Sequence, residues 1–510
     1  MIISLSVLVI TIIVSGTYAL YKTQLSKNIG VNTTTHGLAY YINYVKGTDI
    51  TAATLNPSTS YEGGASSDIE FWKKDDSYDI YGKIELTVNT IGTNLSNSPA
   101  LKYAVVNNGN VLKEGSLKGT TSGSKVTILK NLYLEQTKQI YTVYVWLDNS
   151  EELGNISNES LSISVDCTAS LQKEPTAADT IISLYTSAAK VTATNNSITY
   201  NTAPSVSLMN DRLGGTTTDL DGGNIRYYGA NPNNYIYFNC SDYSNQTSST
   251  CETWRIIGVF NGKLKLIRGS QIGTYSWDNK NTSTGEESNS GKNDWTTARL
   301  MKLLNPSNYY TIDSNDNNLG QSLYYNSASG KCYRSSNNAT VNCDFTSTGI
   351  KNDETRNMIA ETTYNLGGWN TFTVYPNEIY EYERGTTVYT GRLPTWTGKI
   401  ALAYPSDYGY AADLNQCVNK QLNKYNDSTC TSNNWMKSII TNNGSNDGWL
   451  LTPHSNYSYI AWGVILSGIM GGNRAYYSSY GAAPVLYLSS ELGIESGGDG
   501  SSSNPYKLSA

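Results

Sequence analysis

Residues 449–488 read WLLTPHSNYSYIAWGVILSGIMGGNRAYYSSYGAAPVLYL, and this stretch decides the fold of the second half of the chain. Its apolar ends, 449–451 and 484–488, predict two buried strands. The residues between them are rich in Tyr, Asn, Ser and Gly and follow no sustained helical or strand period. Tyrosine offers rigid amphipathic area, and Ser, Asn and Gly offer hydrogen bonds and backbone freedom. The middle of this segment therefore predicts an adaptable contact surface held between two framework strands.

The composition is that of a folded but weakly charged protein. Of the 510 residues, 38% are hydrophobic, 15% are charged and 11% are aromatic, and the net charge is −6. This length allows about three or four domains. The aromatic content argues against disorder, and the negative charge argues against a nucleic-acid partner. Tyrosine occurs 41 times against 5 phenylalanines, so codon bias explains only part of the excess and tyrosine-rich wetted surfaces explain the rest.

The first twenty residues predict an export signal or an anchor. Residues 2–20 are apolar and uncharged, a length that fits either the core of a signal peptide or a short membrane span. Small residues precede a possible cleavage after Ala19. Lys22 and Lys27, taken alone, would place the following chain inside the cell. The cysteines instead indicate that the following chain lies outside the cell. We therefore expect an exported protein that is secreted or anchored at the cell surface by a transmembrane helix.

Three further regions follow the apolar segment. Residues 30–166 predict an antiparallel β-sandwich, because short β-rich runs alternate with turn signals such as Asn107-Asn108-Gly109-Asn110. The clearest predicted strands are 84–88, 101–106, 141–147 and 162–165. Residues 167–204 predict a linker that contains a short amphipathic helix at 177–189. Residues 205–506 mix strands and helices, so the expected fold class is multidomain α+β.

Within residues 205–506 the local signals are a hairpin and three helices. Asn261-Gly262 between the apolar runs 254–260 and 264–267 predicts a tight β-hairpin. Asp294 can cap a helix over 295–304. Asn352 or Asp353 can cap a second helix that runs through Tyr364 to Gly367-Gly368. A third short helix is expected over 433–440.

Six of the seven cysteines fall into local pairs. The pairs are Cys240 with Cys251, Cys332 with Cys343, and Cys417 with Cys430, and each flanks a polar loop. Six cysteines allow 15 connectivities, so local pairing is an inference from sequence. Their spacing lacks the close Cys-x-x-Cys pattern of a zinc site, and disulfides indicate an oxidising compartment. Cys167 is left over, and we expect it to be a buried or unpaired thiol.

Residues for catalysis and metal binding are sparse. His36 and His454 are the only histidines, which leaves few groups for acid–base or triad chemistry. Asp407 and Asp413 could form a glycosidase pair, although a structural role for Asp407 as an acceptor of backbone N–H bonds in a turn is favoured.

Two acidic stretches could be metal loops or ordinary turns. Residues 313–318 have the spaced oxygen ligands of a calcium loop, but they lack its central glycine, and Tyr324 stands where its final Glu belongs. Residues 219–223 are equally well explained as a turn. We therefore expect no metal, no cofactor and no catalysis.

The C-terminal module, about 205–506, resembles exported C-type-lectin-like surface proteins of gut Firmicutes, which are similar to the formylglycine-generating-enzyme-like branch of that fold. The resemblance rests on the stretches TWRIIGVFNGKLKLIRGSQIGTYSWDN, GKIALAYPSDYGYAADLNQC, CTSNNWMKSI, GWLLTPHSNYSYIAWGV and GAAPVLYLSSELGIESGGDGSSSNPYKL. Some members are the variable proteins of diversity-generating retroelements, whose residues between the two framework strands are mutated to diversify binding. Relatives often have Arg before the final Pro-Val-Leu, where this chain has Ala483. The formylglycine-generating enzyme depends on reactive cysteines for its chemistry. The resemblance therefore does not imply catalysis for this chain, whose cysteines are expected to form disulfides.

The resemblance and the segment's composition together give a set of candidate ligand contacts. They are His454, Asn456, Tyr457, Tyr459, Trp462, Asn473, Arg474, Tyr476, Tyr477 and Tyr480.

The N-terminal third resembles the camelysin-like fibre proteins of Gram-positive bacteria, through SGTYALYKTQLSKN after the apolar stretch and the β-rich domain that follows. The leading hypothesis is a cell-surface binding protein, adhesin-like, that recognises an extracellular protein or glycan and contacts the membrane through its N-terminal segment. The alternatives are a structural fibre or surface-layer subunit and a carbohydrate-active enzyme.

Overall fold

The computed structural model describes residues 23–25, 41–51, 55–151, 153–156, 159–212, 223–312, 320–334 and 336–509. Several of the sequence predictions lie outside these residues: the apolar segment 1–20 with Ala19, the lysines at 22 and 27, His36, and most of the two acidic stretches. The helices and strands form two units, residues 1–174 and 175–510. Among the described residues, no helix has both the length and the apolar character needed to span a membrane.

The first unit is built almost entirely of strands. Its elements are β1 Thr23–Leu25, β2 Ile42–Val45, β3 Ile50–Thr51, β4 Pro57–Ser58, β5 Ala65–Lys73, β6 Tyr81–Ile91, α1 Thr93–Asn97, β7 Leu101–Asn107, β8 Asn110–Ser116, β9 Lys125–Tyr133, β10 Ile140–Asp148 and β11 Leu161–Ser170.

These strands form two sheets around one core. One sheet has the order β1-β11-β6-β9, with β3 beside β11, and the other has the order β2-β5-β10-β7-β8, with β4 beside β10. Buried and exposed side chains alternate along β5 and β6, as strands with one buried face require. Leu86 and Val165 of the first sheet and Phe71 and Val143 of the second share one hydrophobic cluster. Full burial of one such side chain contributes about 1.5–3 kcal/mol to the free energy of unfolding.

The hairpin between β7 and β8 turns at the predicted position. Asn108 and Gly109 have φ values of 48° and 76°, so both central residues are in the left-handed region that a tight hairpin turn needs. The four predicted strands of this unit are confirmed by β6, β7, β10 and β11.

The second unit mixes short helices with strands. Its elements are α2 Ala177–Ser187, β12 Val191–Asn195, β13 Ile198–Ala203, β14 Leu208–Asn210, β15 Ile225–Tyr227, β16 Tyr235–Phe238, β17 Glu252–Phe260, β18 Lys263–Arg268, α3 Arg299–Leu304, β19 Ser329–Cys332, β20 Val341–Asp344, α4 Asp353–Met358, β21 Thr362–Asn365, α5 Pro376–Glu383, β22 Thr395–Gly398, β23 Ile400–Ala401, α6 Pro405–Tyr410, α7 Ser428–Ser432, α8 Trp435–Ile440, β24 Gly448–Pro453, β25 Ile460–Val464, β26 Met470–Arg474, β27 Val485–Tyr487, β28 Gly493–Ile494 and β29 Leu508–Ser509.

A nine-stranded sheet organises the second unit. Its order is β12-β13-β14-β15-β17-β18-β27-β23, with β16 beside β17, and its pairs are antiparallel. The predicted hairpin is confirmed as β17 and β18, with Asn261 and Gly262 at positive φ. The α+β class is also confirmed, because helices and antiparallel sheets share one core in this unit.

Residues 177–204 belong to the second unit and do not form a linker. Thr176 and Asp179 cap α2 reciprocally, with the Asp179 N–H donating to Thr176 Oγ1 at 3.1 Å. Ile181 and Tyr185 of this helix are buried in the core of the second unit. Strands β12 and β13 extend the large sheet. The predicted linker is therefore replaced by a boundary between Glu174 and Pro175, because these side chains are committed to the following unit.

The three predicted helices are present but shorter than expected. The first is broken at Ala298, whose extended ψ of 137° separates a 3-10 turn at Trp295–Thr297 from α3. The second ends at Met358, and the chain continues as β21. The third is α8, whose N-cap is Asn434.

The three predicted disulfides are present, and all lie in the second unit. They join Cys240 to Cys251, Cys332 to Cys343, and Cys417 to Cys430. Cys167 of β11 is a buried thiol with no disulfide partner, and burial raises its pKa well above the usual value. Disulfides are typical of proteins that reside in an oxidising environment outside the cytosol.

Candidate functional site

The two framework strands of the 449–488 segment lie in different sheets. Val485–Tyr487 lies inside the nine-stranded sheet, between β18 and β23. Gly448–Pro453 begins a separate sheet of three antiparallel strands, β24, β25 and β26. Sequence reasoning missed β25 and β26, because Gly463, Gly471 and Gly472 interrupt the alternation that would have marked them.

Three of the ten candidate contacts are buried. Trp462 is fully buried and packs edge-to-face on Phe372, with ring centroids 4.6 Å apart. Tyr480 is stacked on Trp449, and burial raises the pKa of its phenol to about 12. His454 is only 3% exposed. These three side chains belong to the core beneath the segment, so their prediction as surface contacts is corrected.

His454 holds the turn that follows β24. The imidazole Nδ1 accepts the backbone N–H of Asn456 at 3.1 Å, and the backbone N–H of His454 donates to Ile460 O at 2.9 Å. Burial lowers the pKa of the imidazole, while a hydrogen bond with the backbone of Asn370 opposes that shift. A neutral imidazole that accepts through Nδ1 positions the backbone at Asn456 and needs no ligand to do so.

Asn293 is a second buried residue that shapes this turn, and sequence reasoning did not single it out. Its Nδ2 lies 2.9 Å from His454 O, 2.7 Å from Tyr457 O and 2.9 Å from Ile460 O. The Asn293 N–H also donates to Ser458 O at 2.8 Å. One side chain from a distant loop thus contacts three backbone carbonyls within residues 454–460. No local sequence pattern could have predicted this contact, because Asn293 lies more than 160 positions before the turn.

The other seven candidates lie at the surface. Tyr457 is 48% exposed and Tyr477 is 36% exposed, and Asn456 and Arg474 are also exposed. Half-buried neighbours support them: Tyr459, Asn473 and Tyr476. We call these seven residues the tyrosine surface: Asn456, Tyr457, Tyr459, Asn473, Arg474, Tyr476 and Tyr477.

Contacts between strand ends bring the tyrosine surface together. The rings of Tyr457 and Tyr459 are 5.8 Å apart, and those of Tyr476 and Tyr477 are stacked at 4.8 Å. The Ala475 N–H donates to Tyr459 O at 2.7 Å, which joins the two tyrosine pairs through the backbone. The four phenols offer flat apolar faces together with hydrogen-bond donors and acceptors, and the exposed Arg474 adds a positive charge to this surface.

The carboxylate pair proposed from sequence is not an open acid–base site. Asp407 is 1% exposed, and it accepts hydrogen bonds from Lys265, from Arg226 Nη1 at 2.9 Å and from the Tyr404 N–H at 2.9 Å. Burial alone would raise the pKa of Asp407, but the two cations outweigh burial and hold it below its usual value. Asp413 is half-buried, and its carboxylate accepts the Asn415 N–H at 2.9 Å. Asp407 is therefore part of a buried ion cluster.

Lys265 and Arg226 complete this cluster. Burial lowers the pKa of Lys265 to about 8, although Asp407 opposes the shift. Arg226 Nε donates to Asp211 at 2.5 Å. The signal that could have revealed the cluster is the charged Lys265 inside the apolar run Leu264–Ile267 of β18, whose neighbours are buried.

Within the described ranges, no group of three or more His, Cys, Asp and Glu side chains could hold a metal ion. A scan against protein-family models matches no family, and a search of curated proteins finds no match to the chain.

Proposed function

We propose that the chain is an exported cell-surface binding protein, adhesin-like, that recognises an extracellular protein or glycan through the tyrosine surface. The proposal includes the C-type-lectin-like identity of the second unit, which rests on the quoted sequence stretches. Paired cysteines and the apolar residues 1–20 support export.

The exposure pattern of the tyrosines is the observation that carries the proposal. Tyr457 and Tyr477 remain 48% and 36% exposed, whereas Trp449 and Trp462 of the same segment are buried. Large aromatic side chains that stay exposed next to a rigid core are enriched at binding hot spots. Since Trp449 and Trp462 fix the sheet beneath, the exposed tyrosines are held with little loss of entropy on binding.

The fibre alternative would place the functional contact in the first unit. The edge strand β8 carries Val111 and Leu112, which are 43% and 42% exposed. An exposed apolar edge can pair with another chain. Filaments that form from the full chain in proportion to its concentration, and that disappear in Val111→Lys, would favour this alternative over a soluble binding protein.

The test of the proposal is a binding array of extracellular glycans and proteins probed with the full chain. The full chain is needed because a cut at residue 205 would remove α2, β12 and β13 from the core of the second unit. The matched variants are Tyr457→Ala/Tyr477→Ala on the tyrosine surface and Tyr78→Ala, a 45% exposed tyrosine of the first unit.

We expect specific array signals that the double variant loses and that Tyr78→Ala keeps. Signals that survive in the double variant, or an array that the folded wild type leaves blank, would contradict the proposal. The carbohydrate-active enzyme alternative is tested on the same glycans, where cleavage products would favour it over binding alone.

A further inference from the structure

Arg255 is a buried cation in the middle of an apolar strand. It lies in β17 between Trp254 and Ile256 and is 6% exposed. Its cross-strand neighbour on β16 is Tyr235, whose ring centroid lies 3.6 Å from the guanidinium carbon. Trp435 lies at 4.9 Å from the same carbon. The two rings fix the plane of the guanidinium, as cation–π contacts with arginine do.

The hydrogen-bond partners of Arg255 are neutral. Its Nε donates to Asn234 Oδ1 at 2.5 Å, and its Nη2 lies 3.3 Å from Pro232 O. No carboxylate in the described part of the chain forms an ion pair with it, and burial lowers its pKa to about 10 with only Tyr235 opposing. A buried charge ordinarily requires a counterion because its desolvation is costly.

Two other arginines of the unit, the half-buried Arg268 and the buried Arg226, do have carboxylate partners. Arg268 donates from Nε and Nη2 to the two oxygens of Glu252 at 2.9 and 3.0 Å. Arg226 donates to Asp211 and Asp407. Arg255 therefore differs from them, since its Nη1 has no hydrogen-bond or ion-pair partner among the described residues.

A cleft of about 490 Å³ opens beside Arg255. Its lining includes the ion pair of Glu252 with Arg268 and the hydroxyl groups of Tyr235, Thr253, Ser270 and Ser438. Thr253, Ser270 and Ser438 are exposed, so the cleft is open to solvent. Its volume lies within the range of about 300–1,000 Å³ that is usual for small-ligand sites. Because Glu252 neutralises Arg268, the net charge of the cleft is that of Arg255.

We propose that this cleft is a binding site for an acidic sugar, with the sugar carboxylate on Arg255 and the ring hydroxyls on the hydroxyl groups that line the cleft. Arginine binds carboxylates through charge-assisted hydrogen bonds, and a bound carboxylate would supply the missing counterion. The hydroxyl-rich lining favours a polyol over an apolar acid. None of the lining residues belongs to the tyrosine surface, so the proposal goes beyond the proposed function and stands without it.

The experiment compares D-glucuronate with D-glucose, which lacks the carboxylate, by isothermal titration calorimetry on the full chain. We expect glucuronate to bind at least about tenfold more tightly than glucose and to weaken with added salt. Equal affinity for the two sugars, or no binding of glucuronate, would overturn the proposal. Sodium acetate is the third probe, and acetate that binds as tightly as glucuronate would overturn assignment to a sugar.

Two variants locate the site. Arg255→Met should lower the affinity for glucuronate by about tenfold or more, and Ser438→Leu, at an exposed position of the cleft, should do the same without touching the buried strand. Lys331→Met, at an exposed cation of β19 outside both the cleft and the tyrosine surface, is the matched control and should leave the affinity unchanged. If Arg255→Met fails to fold, Ser438→Leu decides the outcome. Unchanged affinity in a folded Arg255→Met or in Ser438→Leu would place glucuronate elsewhere and overturn the proposal.

Discussion

The indole of Trp449 stacks on the phenol ring of Tyr480, with ring centroids 4.2 Å apart and ring planes inclined by 26°. Trp449 Nε1 donates to Tyr275 O at 2.8 Å, and the Tyr480 hydroxyl accepts from Asn473 Nδ2 at 3.0 Å. Tyr480 therefore connects the buried indole to β26, the strand that leads to Tyr476 and Tyr477. This pair therefore links the buried framework to the strand that leads to the exposed tyrosines.

We predict that Trp449→Ala destabilises the second unit severely. Loss of a buried tryptophan leaves a cavity and costs about 3–5 kcal/mol of the free energy of unfolding. Tyr477→Ala, in the same segment but 36% exposed, should cost about 0.5 kcal/mol or less. Urea unfolding followed by far-UV circular dichroism measures both. Equal costs for the two variants would contradict the division between framework and surface.

Removal of the Asp407 charge should also destabilise the second unit. Asp407→Asn leaves Lys265 and Arg226 buried without their shared carboxylate, and such a change costs about 3–5 kcal/mol. Asp413→Asn is the matched control, because this half-buried carboxylate accepts a local backbone N–H, and we expect a cost below about 1 kcal/mol. Thermal unfolding of both variants is the measurement. An Asp407→Asn protein as stable as the wild type would refute a structural role for this cluster.

His454 should make stability depend on pH. Burial holds its folded-state pKa below the usual 6.5, so its contribution is present in full above the unfolded pKa and is lost as the pH falls toward the folded value. We expect the free energy of unfolding to drop more between about pH 7.5 and pH 5.5 in the wild type than in His454→Asn. Asparagine can still accept the Asn456 N–H, so the two proteins differ mainly in proton binding. Parallel pH profiles would show that His454 is not the titrating group.

Reduction of the disulfides should lower the stability of the second unit only. All three disulfides lie in the second unit, and each closes a short loop whose cross-link contributes about 3 kcal/mol in the chain-entropy model. Calorimetry of the full chain with dithiothreitol should lower the melting temperature of one transition and leave the other in place. Cys167, the free thiol of the first unit, provides no cross-link to lose. A shift of both transitions would contradict this division.

The strands of the first unit could be predicted from sequence because the residues of each strand themselves carry the pattern that indicates it. Alternation in Tyr81–Ile91 and the Asn108-Gly109 turn are local signals, and they point to the structure that forms. The disulfide pairs were equally local. The boundary of the second unit could not be predicted from local residues. Ile181 and Tyr185 look like one face of a linker helix until the core in which they are buried is known.

The candidate surface could be predicted only in part. Composition located the segment, but Trp462, His454 and Tyr480 resemble their exposed neighbours in sequence and differ only in what covers them. Phe372 covers Trp462 from a segment about 90 positions away. Arg255 and Lys265 carried a usable signal, because each is a charge within a buried apolar strand and such charges need a partner.

The most direct test of the central claim is the dissociation constant of the full chain for a ligand identified on the array, measured by surface plasmon resonance for three proteins. The account predicts that Tyr457→Ala/Tyr477→Ala weakens binding by about thirtyfold or more, about 2 kcal/mol, while Tyr78→Ala binds as the wild type does. A folded double variant with the affinity of the wild type would contradict recognition through the tyrosine surface.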